Sequence, residues 1–454
     1  VKILRPISPT RIFRWTNLLL FALGVASLIL YRVGVRATSA QDIHWLIALA
    51  LCQGGLYLFA AWIILRARAT RSTLIIVLAF AALFRLSVLF APPYLSDDIY
   101  RYIWDGRVQA AGINPYRYIP ADKALEPLRD EAIYPRINRK DFAPTIYPPL
   151  AQVIFFLVTR VSERVTWMKA ALVGFEALTV WALIVLLASF NLPRERVLIF
   201  AWHPLLVWEI AGSGHVDAAA IAFIVLALLA RRRGMETATG VALACAVLVK
   251  LFPVALFPAL YRRWGWKMPL AFVSTIVLAY LPYLGVGATR VLGYLPGYTA
   301  EEGIQSGDRF YLLSVARGVF GRNNVPTTIY LVAAALVLMG LASWCLWKRE
   351  QHESSYIARA FILAGAFTLL LSPHFPWYFA WLVPFMCWLP LVPFFYLTCA
   401  SFAFYKLWFN EWQQVFSINT IVYLPVAILG ALTLLKRRRL SKERAQATGQ
   451  NRLR

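Results

Sequence analysis

The sequence is short of acidic side chains and of usefully spaced cysteines. Its 454 residues hold 22 Asp and Glu against 46 Lys and Arg, a formal net charge of +24. The five cysteines, Cys52, Cys245, Cys345, Cys387 and Cys399, all lie in apolar runs with no metal-like spacing. That argues against a sequence-local zinc site and reads the thiols as small packing residues. No small-residue cleavage site follows the first apolar run, from about residue 12 to 30, so a retained helix is expected rather than a signal peptide. No clear repeat relates the two halves, which counts against a transporter of duplicated bundles.

What fills the chain is apolar residue, 60% of it, at a mean hydropathy of +0.62. No soluble domain needs so many separate apolar runs, so the fold class expected is an all-α polytopic membrane protein. The basic residues punctuate these runs, the positive-inside pattern, and no nucleic-acid partner is expected. The 17 Trp and 21 Tyr suit interfacial belts and sugar-stacking surfaces equally.

Lys2, Arg5, Arg11 and Arg14 place the N-terminus in the cytoplasm. Arg66, Arg68 and Arg71, then Arg194 and Arg196, then Arg231, Arg232 and Arg233, then Arg262, Arg263 and Lys267 mark later cytoplasmic turns. Lys436, Arg437, Arg438 and Arg439 end the last helix, before a basic tail read as disordered. This registry gives roughly 11–14 spans with both termini cytoplasmic. Residues 1–435 form one transmembrane domain and 436–454 the tail. Residues 92–166 form a long extracytoplasmic segment. Its apolar piece from Tyr147 to Arg160 is too short to span and reads as interfacial or re-entrant. Thr237 to Tyr261 reads as two abbreviated helices meeting at Lys250.

The chemistry-bearing stretch follows the third apolar run: Ser96-Asp97-Asp98-Ile99-Tyr100-Arg101-Tyr102-Ile103-Trp104-Asp105-Gly106-Arg107. Acidic residues are costly near hydrocarbon, so a carboxylate cluster at a membrane edge is a candidate site. With Ser96 as N-cap, Asp98, Arg101, Tyr102 and Asp105 fall on one helix face, and Gly112 ends that helix. The plainer reading makes Asp97 and Asp98 first-turn acids facing the helix dipole. The same registry brings His215 with Asp217, Lys250 and His374 to that side. Each has a structural reading too: a helix cap, a snorkelling lysine, a turn histidine. His203, before Pro204, reads as a residue bonding the backbone around the proline. A carboxylate can take a proton from an alcohol, and cations with a histidine can steady a departing phosphate. Together these are what glycosyl transfer from a lipid-phosphate sugar requires. With the carboxylate acting only as base, the displacement is single and inverts the anomeric centre.

The chain resembles the GT-C superfamily of integral-membrane glycosyltransferases, in particular the bacterial polyprenol-phosphomannose-dependent mannosyltransferases. The resemblance rests on Ser96-Asp97-Asp98-Ile99-Tyr100-Arg101-Tyr102 with Gly112-Ile113-Asn114-Pro115-Tyr116, on Tyr147-Pro148-Pro149-Leu150, on Gly214-His215-Val216-Asp217, on Lys250-Leu251-Phe252-Pro253, and on Ser372-Pro373-His374 with Trp377-Tyr378. It implies a first-loop aspartate as base. The family's aspartate precedes an apolar residue and a tyrosine, which matches Asp98, with Asp97 positioning the acceptor or sharing that role. It further implies a polyprenyl-phosphate sugar donor, mannose by the likeness, a glycan or glycolipid acceptor, chemistry independent of metal or other cofactor, and an extracytoplasmic site in the bacterial cell membrane. Arg101, Lys250, His215 and His374 are candidates for the donor phosphate. Tyr102, Asp105, Tyr147, Asp217, Trp377 and Tyr378 are candidates for acceptor or sugar. A lipid-linked sugar flippase and an envelope-assembly scaffold are the rival readings.

Overall fold

The computed structural model describes residues 9–66, 70–348, 352–408 and 414–450. Lys2, Arg5 and Arg68, used above for orientation, lie outside them. The described residues are helical with no strand, as hydrocarbon demands of a backbone that must satisfy its own hydrogen bonds. Among them seven helices are long and apolar enough to cross a bilayer, and five shorter apolar helices have 10–17 residues. The chain is an all-α multi-pass membrane protein. Fewer of its helices reach full length than the expected spans, because prolines and polar turns cut several of them short.

Helices α1 (Pro9–Ser39), α2 (Ile43–Arg66) and α3 (Arg71–Leu89) form the first bundle, with α1 packed on both others. Thr70 and Thr73 close a reciprocal capping box at the start of α3. After α3, Pro92 and Pro93 bar any continuation, and α4 begins at Asp98 and runs to Ala110. Gly112 follows at φ +74°, a left-handed terminator. Helix α5 (Pro149–Val161) has 13 residues, about 20 Å at 1.5 Å per residue, too short to span. It packs on α4, and both touch α6 (Val165–Ser189).

Residues 197–222 are buried without a break. The sequence reads the first part of this run as one span. The structure breaks it into helical turns at Leu198–Ala201 and Pro204–Leu206, then a π-helical turn over Val207–Gly212. Pro204 has no N–H to give, and His203 repairs the break: its Nδ1 accepts the Leu205 N–H at 3.2 Å. The ring's Nε2 meets Thr398 Oγ1 at 2.9 Å, so His203 has the backbone-bonding place expected of it.

Helix α7 (Asp217–Arg232) and helix α8 (Glu236–Val249) then form a hairpin, with α9 (Lys267–Tyr280) on the other side of α8. Lys250 is extended (φ −144°, ψ 138°) and ends α8. Short turns at Phe252–Leu256 and Phe257–Leu260, each with a proline in its first turn, complete the expected abbreviated pair. Helix α10 (Leu295–Glu301) lies in the polar segment before α11 (Tyr311–Phe320). Helices α12 (Thr327–Trp347), α13 (Ser355–Leu371), α14 (Val392–Ala400) and α15 (Val415–Gln450) follow. Here one expectation is corrected: the basic tail carries α15 on to Gln450. Its Lys, Arg, Glu, Ala and Gln are good helix formers, and an already nucleated helix extends through them.

Candidate active site

Five stretches far apart in the chain line one cavity of about 510 Å³. The turn before α4 supplies Ser96, Asp97 and Asp98. The following loop supplies Asn138, Arg139, Phe142 and Tyr147. The end of α8 supplies Lys250, α10 supplies Tyr298 and Glu301, and the turn after α13 supplies Trp377 and Tyr378.

The two carboxylates sit side by side because one ends the loop and the next opens the helix. Asp97 holds the N-cap position without a side-chain cap bond. Ser96, the expected cap, accepts the Asp98 N–H at 3.2 Å, so it serves one of the free N–H groups from one residue further out. Asn138 holds the pair together: its Nδ2 donates to Asp97 Oδ1 at 2.8 Å and to Asp98 Oδ1 at 2.7 Å. The surrounding protein, and next the Asp98 carboxylate, raise the pKa of Asp97 above its ordinary value, against the bond from Asn138.

Two cations, Lys250 and Arg139, line the same cavity. Lys250 Nζ lies 3.0 Å from Asp217 Oδ2 and 5.2 Å from the centre of the Tyr378 ring. Arg139 donates to Glu301 at 2.6 Å, and Tyr294 donates to the other oxygen of Glu301 at 2.8 Å. Tyr298 and Tyr378 are hydrogen-bonded hydroxyl to hydroxyl.

A second row stands behind the carboxylates. His215 is stacked on Trp377 with ring centres 4.1 Å apart. Its Nδ1 is 3.9 Å from Asp98 Oδ2 and its Nε2 is 3.3 Å from Glu209 Oε2. Tyr405 donates to the other Glu209 oxygen at 2.6 Å. Asp217 opens α7 beside them.

The structure therefore brings Asp97, Asp98, Tyr147, Lys250, Trp377 and Tyr378 to one cavity, with His215 and Asp217 directly behind. The remaining sequence candidates do not line it. Arg101 is committed to Asp105 at 2.8 Å and to the Ala143 carbonyl at 3.1 Å. Gln152 donates to the second Asp105 oxygen at 3.0 Å. Both charges of the pair are buried, so that helix face serves to anchor the loop. Tyr102 stacks on Phe155 at 4.4 Å, and its hydroxyl accepts the Val216 N–H at 3.4 Å. His374 is buried beside Phe404. Burial, and then the Arg309 charge, hold its pKa down at about 4, so the ring is neutral near pH 7. Most other loop cations make internal ties, as Arg107 does to Asp130 at 2.7 Å and Glu163 at 2.8 Å. Among the described residues no three or more His, Cys, Asp or Glu converge as metal ligands.

Sequence reasoning missed Asn138, Arg139 as the cavity's loop cation, Glu301 and Glu209. Glu209 could have been found, since a lone acid in an apolar run is the same signal that singled out Lys250. Nothing local marks Asn138.

Residues 18–265 match the family model described as alpha-(1→6)-mannopyranosyltransferase, N-terminal domain. The alpha-(1→6)-mannopyranosyltransferase A of Mycobacterium tuberculosis is 21% identical over 320 residues, covering 65% of this chain and 61% of that protein. The chain thus spans less than two thirds of that relative. The matched residues take in α2 to α8 with Asp97, Asp98, His215 and Lys250, and they make up more than half of the chain. This chain belongs to the alpha-(1→6)-mannopyranosyltransferase family, with the all-helical membrane build of the GT-C type.

Proposed function

We propose that the protein transfers mannose from a polyprenyl-phosphate donor to a hydroxyl of a glycan or glycolipid acceptor. The site would face the extracytoplasmic side of a bacterial cell membrane, with both termini cytoplasmic. The observation that carries this is the Asp97–Asp98 pair, gathered by one amide and opening into a cavity that Lys250 and Arg139 also line.

Asp98 takes the acceptor's proton as the new bond to the sugar carbon forms. The bond from that carbon to the phosphate oxygen breaks, and the phosphate leaves with the electron pair. Lys250 and Arg139 steady its charge, while Tyr147, Trp377 and Tyr378 offer faces and hydroxyls to the sugar. Asp97 orients the acceptor. A single displacement inverts the sugar carbon, so the alpha linkage in the relative's name would require a beta-linked donor.

The test is transfer from a defined polyprenyl-phosphate mannose by purified protein, compared with Asp98→Asn and Asp97→Asn. Undiminished turnover in both variants removes the base assignment. Movement of the lipid-linked sugar across vesicles without transfer would favour a flippase.

A further inference from the structure

The mechanism just proposed makes no use of Glu209. It is wholly buried, in a run with no other charged residue between Arg196 and Asp217. It sits in the π-helical turn Val207–Gly212, a geometry that costs regular helix bonding and recurs at functional sites. A burial of this kind is unfavourable unless the group has partners. Tyr405 supplies one, at Oε1. The other oxygen, Oε2, is 3.3 Å from His215 Nε2, out of line for a full hydrogen bond. The opposite ring nitrogen faces Asp98 Oδ2 at 3.9 Å, and Trp377 stacks on the ring. The order in space is Tyr405, Glu209, His215, Asp98, cavity.

We infer that Glu209 is a positioning residue for the transfer reaction, acting through His215 on the proton that Asp98 receives. This rests on Asp98 being the base. A neutral imidazole donates from one nitrogen and accepts at the other. Glu209, as a carboxylate already served by Tyr405, presents the negative charge of Oε2 to Nε2 at 3.3 Å, which favours the ring form with its proton on Nε2. That leaves the Nδ1 lone pair toward Asp98. Asp98 takes the acceptor's proton, then hands it to Nδ1 after an approach of about 1 Å, of the kind by which open sites tighten around substrate. The ring then carries both protons between two carboxylates. After product leaves, that proton returns through Asp98 to water in the cavity, and nothing is oxidised or reduced. The logic is that of a buried acid fixing a histidine's form, with the base moved to the far end of the chain.

The experiment measures kcat and KM for mannosyl transfer by the full chain with Glu209→Gln, Glu209→Asp, His215→Gln, and the Glu209→Gln/His215→Gln double variant, beside Asp98→Asn. A glutamine keeps the shape but presents an N–H₂ as readily as an oxygen. We expect Glu209→Gln to lose about 10²-fold in kcat with KM within about twofold, and the double variant to be no slower than His215→Gln. Glu209→Asp, which keeps the carboxylate, recovers at least about a tenth of kcat. Full kcat in Glu209→Gln, a double variant that multiplies the two single losses, or Glu209→Asp no better than Glu209→Gln would each overturn the inference. A stable, active Asp98→Asn would instead overturn the base assignment itself.

Discussion

Lys250 and Asp217 meet at 3.0 Å although one follows the end of α8 and the other opens α7. The two helices form an antiparallel hairpin, so the start of the first and the end of the second lie at the same membrane depth. Asp217 is nearly sealed, with its side chain 2% exposed, whereas Lys250 keeps 14%. The lysine can thus turn one proton toward Asp217 and another toward the cavity. A buried ion pair of this kind is costly to break from one side only.

Removing the lysine alone strands a buried carboxylate. Lys250→Met should destabilise the protein by about 3–5 kcal/mol and raise KM for the donor. Adding Asp217→Leu should restore most of the stability and none of the KM. Thermal unfolding in detergent beside donor titrations checks both. A double variant as unstable as the single would show that the stranded carboxylate is not the cause of the loss.

Asp98→Asn should lower kcat by about 10²–10⁴-fold, the usual contribution of a general base, while folding is unchanged. Radiolabelled transfer assays and melting curves on the same preparation separate loss of chemistry from loss of fold.

Asp97 carries the sign of a destabilising charge. Its pKa is raised in the folded protein by its surroundings and by Asp98, so the folded state favours the protonated form. Stability from this group is full below the ordinary carboxylate pKa and is lost as pH rises through the raised one. Asp97→Asn keeps an oxygen for Asn138 and removes the charge. It should therefore be more stable than wild type at neutral pH, with the difference vanishing in acid. Equal stability of the two proteins at neutral pH would contradict this sign.

Asn138→Ala removes the one amide that bonds both carboxylates. The repulsion between them is then unrelieved, and kcat should fall about tenfold through misplacement of the base. Asn138→Asp should be worse, since it adds a third like charge. A crystal or cryo-EM structure of Asn138→Ala with Asp97 and Asp98 unmoved, together with wild-type kcat, would set the role aside.

Gly293 seats the segment that carries Tyr298 and Glu301. Its φ is +57°, and a Cβ there would lie 1.8 Å from the Thr145 carbonyl oxygen, beside the bond that the Tyr294 N–H makes to that oxygen at 3.1 Å. Gly293→Ala should abolish transfer by displacing α10 while the membrane helices remain folded. Limited proteolysis near residue 293, with unchanged circular dichroism, is the readout.

Much of the membrane build is legible in the sequence alone. Helix periods, basic run ends, the proline stops at Pro92 and Pro93 and the left-handed Gly112 are local effects, and local sequence determines local backbone. The short α5 and the break at Lys250 followed from counting residues against bilayer thickness. The span expected over residues 197–211 failed because apolarity alone cannot tell a lipid-facing helix from a buried, broken one. The proline and a histidine bond decided that.

The site divided along the same line. Asp97, Asp98, His215 and Lys250 could be singled out because a charge beside hydrocarbon is expensive and must be explained wherever it stands. Whether such a charge faces a cavity or a partner is a question of distance between residues far apart in the chain. Only packing turned Arg101 inward to Asp105, pressed His374 into a neutral pocket, and laid Asn138 across two carboxylates some 40 positions away. Sequence determined which groups needed partners; tertiary structure chose the partners, because Coulomb and hydrogen-bond energies fall off with separation in space and are blind to separation along the chain.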